Sequence, residues 1–222
     1  MATRRASTTT ETEPCEACGA ETSNYNRNGE PVCTDAPFCG DYVESILAVY
    51  DAATDAELRA GEDWYPTMTA TMRRHAAESG YSIEQCAAVY AACSANTQWV
   101  QNVRLACRAI ADGGLTGGTL TNTVSKVNAI LAGADIDSTI AVDAKSLKLR
   151  NFIRNLSGCV DSVTVDRWAR RIATRGAQSD VPKGDLYRKI SEAYITAALW
   201  RNTEPSTMQA VTWVVVTGTA AA

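Results

Sequence analysis

A lysine and an aspartate eighteen positions apart are the residues of this sequence best suited to chemistry. Lys148 lies in a segment of helical pattern, and Asp166 ends the short β-branched run Val163-Thr164-Val165. A neutral lysine amine can attack an electrophilic carbon. A carboxylate can stabilise developing positive charge or orient an attacking water. The residue types therefore make Lys148 a candidate nucleophile and Asp166 a candidate acidic partner.

Each member of this pair also has a plain structural interpretation. Asp166 opens the basic segment RWARRIATRG, and aspartate is a common N-cap because its side chain accepts backbone N–H groups at the start of a helix. Lys148 could be a solvated lysine on a helix surface. Both interpretations stay open at the level of the sequence.

Positive charge is concentrated around the pair. Residues 144–176 contain eight Lys/Arg against two Asp, a local charge of +6, whereas the whole chain has a net charge of −4 and a pI near 5.1. The acidic total argues against a general nucleic-acid coat, but a local basic patch can hold backbone phosphates. The residues predicted to contact duplex DNA in this patch are Lys145, Arg150, Arg154, Arg167, Arg170 and Arg171.

The segment resembles the catalytic segment of the helix–hairpin–helix DNA glycosylase superfamily, which includes endonuclease III. In that family a lysine is followed eighteen residues later by an aspartate in a V-D-x-H-V-x-R-V pattern. The matching positions here are Val165, Asp166, Trp168, Ala169, Arg171 and Ile172, with Trp168 in place of the histidine. The family's hairpin before the lysine reads G-[VI]-G, whereas this chain has Ala144-Lys145-Ser146-Leu147. The resemblance implies a multi-helix fold that flips a damaged or modified base out of DNA and excises or processes it.

A small polar break between two apolar helical segments adds to the resemblance. The family has an L-S-x-Q-T-x segment at this point, and by resemblance Asn96, Thr97 and Gln98 would line the DNA groove. The alternative is that Asn96 or Thr97 simply caps the next helix.

Four cysteines near the N-terminus have the spacing of a metal site. Cys15 and Cys18 form a C-x2-C knuckle, and Cys33 and Cys39 can supply two further thiolates to a tetrahedral Zn²⁺. So short a segment has too little apolar content to fold without metal. The alternative is four unliganded cysteines in a flexible leader.

The apolar periodicity after residue 42 is helical, so the sequence predicts an all-α fold. It predicts a first helix that ends near Gly61 and Pro66, a second over 65–79 and a third opened by the capping box Ser82–Gln85. His75 is interpreted as a solvated or capping residue. The remaining four cysteines are interpreted as small buried hydrophobes: Cys86, Cys93, Cys107 and Cys159. No apolar run approaches the ~20 residues of a membrane span.

The predicted organisation is a disordered leader (1–14), a four-cysteine zinc-ribbon-like segment (15–41) and one helical glycosylase-like domain (42–222). The predicted function is a DNA base glycosylase-like enzyme with a structural zinc. The alternatives are a non-catalytic zinc-containing DNA- or protein-binding module, and an interaction protein that blocks a host enzyme. The chain also resembles uncharacterised proteins of actinobacterial phages, which implies a bacteriophage origin and a place in the host cytoplasm.

Overall fold

The computed structural model describes residues 13–14, 21–22, 42–94, 97–140, 146–176 and 181–218. Within these ranges the chain is helical, which confirms the all-α prediction. The exception is one antiparallel pair of two-residue strands, β1 (Glu13–Pro14) and β2 (Glu21–Thr22). The helices are α1 (Tyr42–Tyr50), α2 (Asp55–Ser79), α3 (Ile83–Cys93), α4 (Trp99–Asp112), α5 (Thr121–Leu131), α6 (Ile136–Ile140), α7 (Ser146–Leu156), α8 (Arg167–Thr174), α9 (Gly184–Trp200) and α10 (Pro205–Thr217).

Helix α2 runs unbroken through Gly61 and Pro66, so the predicted break at these residues is wrong. A β-carbon built on Gly61 would lie 2.5 Å from the Cα atom of Val211 in α10. The glycine therefore permits close packing of two helices and does not end one. The buried face of α2 continues through Trp64 and Met68. Packing along this face outweighs the proline, which costs about 3 kcal/mol in a helix interior.

Two groups of buried apolar side chains form the core. The first is built from α2 to α7 with Leu115, and the second from α1, α8, α9 and the residues just before α8. Helix α10 contributes Ala210 to the first group and Met208 to the second. Helix α7 also contacts both, through Phe152 in the first and Leu147 against the second. Lys148, on α7, therefore lies where the two groups meet.

Two predictions about core residues have different outcomes. Cys86 and Cys93 are fully buried, as predicted, whereas Cys107 and Cys159, for which the same was predicted, are only half-buried. His75 is also buried, at 9% exposure, and its Nε2 lies 3.0 Å from the hydroxyl of Tyr90. Its interpretation as a solvated or capping residue is wrong, because α3 covers the face of α2 on which it lies. None of the described helices is long and apolar enough to cross a membrane.

Candidate functional site

Asp166 is the N-cap of α8. Its Oδ1 atom accepts hydrogen bonds from the backbone N–H groups of Trp168 and Ala169, both at 2.9 Å. The other carboxylate oxygen, Oδ2, accepts none of the hydrogen bonds between described residues. The side chain therefore caps the helix with one oxygen and leaves the other for a second partner.

Lys148 and Asp166 are close enough for each charge to act on the other. Burial raises the pKa of Asp166, against the opposing effects of the Lys148 charge and the two backbone N–H groups. Burial also lowers the pKa of Lys148, against the opposing effect of Asp166. Among the described ion pairs, none joins the two residues directly. The protein thus brings an amine and a carboxylate together and makes both charged forms less favourable.

The hydroxyl of Tyr187 holds the two sides of this site together. Tyr187, on α9, is 3% exposed. Its oxygen accepts from the Asn151 amide of α7 at 2.9 Å and from the backbone N–H of Val165 at 3.2 Å. It lies 3.0 Å from the carbonyl of Val163 and 3.3 Å from that of Leu147, to which it can donate. One hydroxyl therefore fixes the backbone next to Lys148 relative to the backbone next to Asp166.

Asn155 fixes the chain between α7 and α8. Its side chain is 1% exposed, and its Nδ2 donates to the carbonyls of Cys159 and Ser162, both at 2.8 Å. Its Oδ1 accepts from the hydroxyl of Thr164 at 2.8 Å. Both N–H groups and the oxygen of the Asn155 amide are hydrogen-bonded to this loop. These bonds fix the conformation of the loop that ends at Asp166.

Sequence reasoning missed both positioning residues, although each has a weak sequence signature. Asn155 is a polar residue three positions after Phe152, on the apolar face of α7. Tyr187 lies three positions before Ile190 on the apolar face of α9, where a phenol needs a buried partner. A polar group on a core-facing stripe is the signature that identifies them, because buried polar atoms are nearly always hydrogen-bonded.

The predicted DNA-binding arginines are in different environments. Arg154 and Arg167 are exposed. Arg167 and Arg171 both lie over the ring of Trp168, with guanidinium carbons 5.5 Å and 4.8 Å from its centre. The Nε of Arg150 is 2.8 Å from a carboxylate oxygen of Asp137.

Arg170 differs from the other arginines because it is only 8% exposed. A buried guanidinium does not suit a phosphate contact, so Arg170 is left out of the interface proposed below.

The polar break before α4 is described in part. Gln98 is the N-cap residue of α4, but its side chain makes no capping hydrogen bond, and it is exposed. Thr97 is half-buried. The N-cap position of α4 falls one residue after Thr97, so the alternative that Thr97 is the N-cap residue is wrong.

Several predicted site residues lie outside the described part of the chain. They are Asn96, Lys145 and the four cysteines Cys15, Cys18, Cys33 and Cys39. Within the described ranges no cluster of three His, Cys, Asp or Glu side chains could hold a metal ion. The zinc site therefore stays a prediction.

The chain belongs to a protein family described as a family of unknown function (DUF7178), whose model matches residues 34–220. The match includes all ten helices named above, together with Lys148 and Asp166, and it begins after Cys15, Cys18 and Cys33. No curated protein and no solved structure matches the chain.

Proposed function

We propose that this protein acts on DNA as a base glycosylase-like enzyme of the helix–hairpin–helix type, with Lys148 and Asp166 as its reacting groups. The observation that supports this most is the opposed pKa shifts of the two residues. Burial lowers the pKa of the lysine and raises that of the aspartate. Paired groups whose pKa values are shifted by burial are typical of catalytic sites.

The shifts favour the chemistry because they bring the two pKa values closer together. A smaller difference lowers the free energy needed to move a proton from the Lys148 ammonium to the Asp166 carboxylate. The neutral Nζ can then attack C1′ of the sugar. The glycosidic C–N bond breaks, its electron pair leaves with the base, and the base takes the proton held by Asp166. The attached Nζ then returns one of its two protons to the Asp166 carboxylate and uses the freed electron pair to form a C=N bond. The C1′–O4′ bond breaks with its electron pair on O4′, which takes that proton from Asp166, and the product is a protonated imine to Lys148.

Asp166 has a second use in the same reaction. Cleavage of a glycosidic bond builds positive charge on the sugar, and a nearby carboxylate stabilises that charge. With water as the nucleophile, the same carboxylate orients the water, and Lys148 is not consumed. The Oδ2 atom is the one suited to either role, because Oδ1 is used by the helix cap.

The DNA is held, in this proposal, by the exposed arginines beside the pair. Arg154 follows Lys148 on α7, and Arg167 is the first residue of α8. A base within a duplex must leave the stack before its glycosidic bond can be attacked, and phosphate contacts on both sides hold the strand in that state. Lys145, Arg150 and Arg171 complete the predicted patch.

Base release from defined duplexes tests the proposal. Duplexes carrying single damaged or modified bases are incubated with wild-type protein and with Asp166→Asn, Lys148→Gln and Lys189→Gln. Asparagine caps a helix as well as aspartate does, so Asp166→Asn removes the charge and keeps the fold. Lys189, an exposed lysine of α9 paired with Asp185, is the matched control for Lys148.

The expected result is base release that Asp166→Asn reduces by at least about a hundredfold, the usual size of a general acid–base contribution. Lys189→Gln should leave release unchanged. Borohydride trapping then separates the nucleophiles, because only an imine to Lys148 gives a covalent protein–DNA product. Absence of release from every duplex would contradict the enzymatic proposal.

A non-catalytic DNA- or protein-binding module is the second candidate. The observation that favours it is the cap itself, since two backbone hydrogen bonds already give Asp166 a structural role. This candidate predicts duplex binding at low salt without base release, and binding that Asp166→Asn does not change.

We also propose that Cys15, Cys18, Cys33 and Cys39 hold a structural Zn²⁺. The pairing of β1 with β2 supports this, because it brings together the two ends of the short segment that contains Cys15 and Cys18. Metal analysis of the purified chain should give about one zinc per protein. A metal-free protein whose fold does not respond to a chelator would contradict the proposal.

A further inference from the structure

A groove of about 490 Å³ lies where α1, α8 and the end of α10 meet. These helices pack against one another, so the walls of the groove belong to the packed helical body. Neither Lys148 nor Asp166 lines it. Its volume is within the range of about 300–1,000 Å³ that is typical of small-molecule sites. The groove is therefore a candidate binding site separate from the Lys148–Asp166 pair.

The floor of the groove is apolar. It is formed by Val49 of α1, Ile172 of α8 and Val216 of α10. The exposed Ala48 borders the groove and, with its small side chain, leaves the space above this floor open. Covering the floor removes apolar surface from water, which favours binding. A ligand that fits the groove therefore has an apolar body.

The charged residues at the groove are all positive. The described residues that line it include two arginines and no carboxylate. Arg171 lies on α8, and Arg175, four positions later, is the C-cap residue of the same helix. Residues at this spacing lie on one side of a helix. A depression with charge of one sign and apolar walls attracts ions of the opposite sign. The polar part of the ligand is therefore an anion.

Arg175 is held in place by a hydrogen bond to α1. Its backbone has a φ of 50°, in the left-handed region that residues other than glycine rarely adopt. Its Nε donates to the hydroxyl of Ser45 at 2.9 Å, and Ser45 is 1% exposed. A guanidinium held in a fixed orientation suits a carboxylate, because two of its N–H groups can bind both carboxylate oxygens. Arg175 is therefore the residue best suited to bind the anionic head.

Arg171 is positioned by an aromatic ring. Its guanidinium carbon lies 4.8 Å from the centre of the Trp168 ring, and both residues line the groove. A cation–π contact of this kind holds the arginine against the indole. Arg171 therefore adds positive charge to the groove, and Trp168 adds flat apolar surface.

The surroundings of the groove favour a small molecule over a protein or a membrane as its occupant. A stable protein interface buries about 800 Å² on each partner and has an apolar centre. Six large apolar side chains are exposed in the described part of the chain, and Val216 is the one among them that lines the groove. The apolar surface is therefore confined to the groove and does not extend into a wider docking face.

We propose that the groove between α1, α8 and α10 binds a free amphiphilic carboxylate, a small molecule with one carboxylate head and an aliphatic body. Arg175 binds the head, assisted by the charge of Arg171, and the apolar floor covers the body. The site is independent of the proposed function, because it uses neither Lys148 nor Asp166. Arg171 also belongs to the predicted DNA patch, so Arg175 is the arginine that the test changes.

Calorimetric titration of the full chain with three ligands of equal chain length tests the proposal. The ligands are decanoate, decanol and decyltrimethylammonium, each kept below the concentration at which it aggregates. Wild type is compared with Arg175→Asn and Ala48→Phe. Asparagine tolerates the left-handed conformation, so Arg175→Asn removes the charge and keeps the backbone. Ala48→Phe places a ring in the groove from an exposed position.

Two further variants are matched controls, because neither residue lines the groove. Arg188→Gln removes the charge of an exposed arginine on α9 that pairs with Asp185. Ala111→Phe adds a ring at an exposed alanine of α4. Circular dichroism checks that each variant is folded.

We expect decanoate to bind wild type at least tenfold more tightly than decanol, and decyltrimethylammonium not to bind. Arg175→Asn should reduce decanoate binding to the level of decanol, because the apolar floor remains and the charge is lost. Ala48→Phe should abolish binding of both. Arg188→Gln and Ala111→Phe should bind all three ligands as wild type does.

Absence of decanoate binding, or equal binding of decanoate and decanol to wild type, would overturn the proposal. A decanoate preference that survives in folded Arg175→Asn, or binding that survives in folded Ala48→Phe, would also overturn it. Base release is measured separately and involves other residues, so failure of the groove and failure of the glycosylase are distinguishable.

Discussion

Two aspartates, Asp135 before α6 and Asp166 before α8, accept backbone hydrogen bonds at helix starts in different environments, since Asp166 is half-buried. Asp135 accepts the backbone N–H of Ser138 at 2.7 Å and is exposed. Hydrogen bonding to Ser138 lowers its pKa. Asp166 accepts two backbone N–H groups and lies near a lysine, yet burial raises its pKa.

Helix capping does not explain why the pKa of Asp166 is raised while that of Asp135 is lowered. Capping hydrogen bonds and a nearby positive charge both stabilise the carboxylate form, so a cap alone predicts a lowered pKa. Asp135 follows this expectation, whereas at Asp166 desolvation outweighs the same favourable interactions. The protein therefore keeps the Asp166 carboxylate in a place that disfavours its charge, as its proposed role in the reaction requires.

The strongest test of this comparison is to loosen the loop that encloses Asp166. Asn155→Ala leaves two carbonyls and the Thr164 hydroxyl without partners, and should reduce the free energy of unfolding by about 3 kcal/mol. In variant protein that still folds, water should reach Asp166 and lower its pKa, with no change at Asp135. Denaturant unfolding and NMR titration of the carboxyl carbons measure the two effects. An unchanged Asp166 pKa in a destabilised variant would show that Asn155 does not control its burial.

The next largest effect is expected when each carboxylate is removed and the losses in unfolding free energy are compared. Asp166→Ala should cost about 2 kcal/mol, because it exposes two helix N–H groups in a half-buried place and leaves Lys148 without its partner. Asp135→Ala should cost clearly less, since water replaces the lost bond at an exposed helix start. Urea unfolding of both variants provides the comparison, and equal losses would remove the distinction between the two aspartates.

Removing the Tyr187 hydroxyl should lower the free energy of unfolding by less than these changes. It should also change the pKa of Asp166. Tyr187→Phe removes the link between the backbone beside Lys148 and that beside Asp166, and should cost about 1.5 kcal/mol. Tyr90→Phe is the control, because its hydroxyl lies 3.0 Å from Nε2 of His75, between α2 and α3. We expect the Asp166 pKa to change in Tyr187→Phe alone. A similar change in both variants would assign it to general loosening of the core.

The pH dependence of stability should have opposite signs at the two sites, and this is the smallest effect. Between the ordinary aspartate pKa of about 3.9 and the raised pKa of Asp166, folded protein binds more protons than unfolded protein. Stability from this group is therefore present at low pH and lost as pH rises through that window. Asp135, with a lowered pKa, contributes stability above about pH 3.9 that is lost as pH falls.

The variants Asp166→Asn and Asp135→Asn separate the two pH dependences of the unfolding free energy. Relative to wild type, Asp166→Asn should gain stability as pH rises, and Asp135→Asn should lose it. Unfolding curves measured from about pH 3 to pH 7, in steps of about one unit, would show both slopes. Slopes of the same sign would mean that the two carboxylates share one environment.

The sequence by itself determined much of the local structure. The apolar periodicity predicted helices, the Ser82–Gln85 box predicted the start of α3, and both agree with the structure because they depend on residues within one helical turn. The family resemblance of the segment from Lys148 to Asp166 also selected two residues that the fold brings close enough for their charges to interact. These features are short-range, so they are present in the chain before it folds.

Tertiary structure decided what the local pattern left open. Gly61 interrupts no helix, because its neighbour Val211 comes from α10, and Tyr187 reaches Leu147 from 40 positions away. The direction of the Asp166 pKa shift depends on how much water the whole fold excludes. A cap sequence specifies hydrogen bonds but not burial, so only the packed structure could distinguish Asp166 from Asp135.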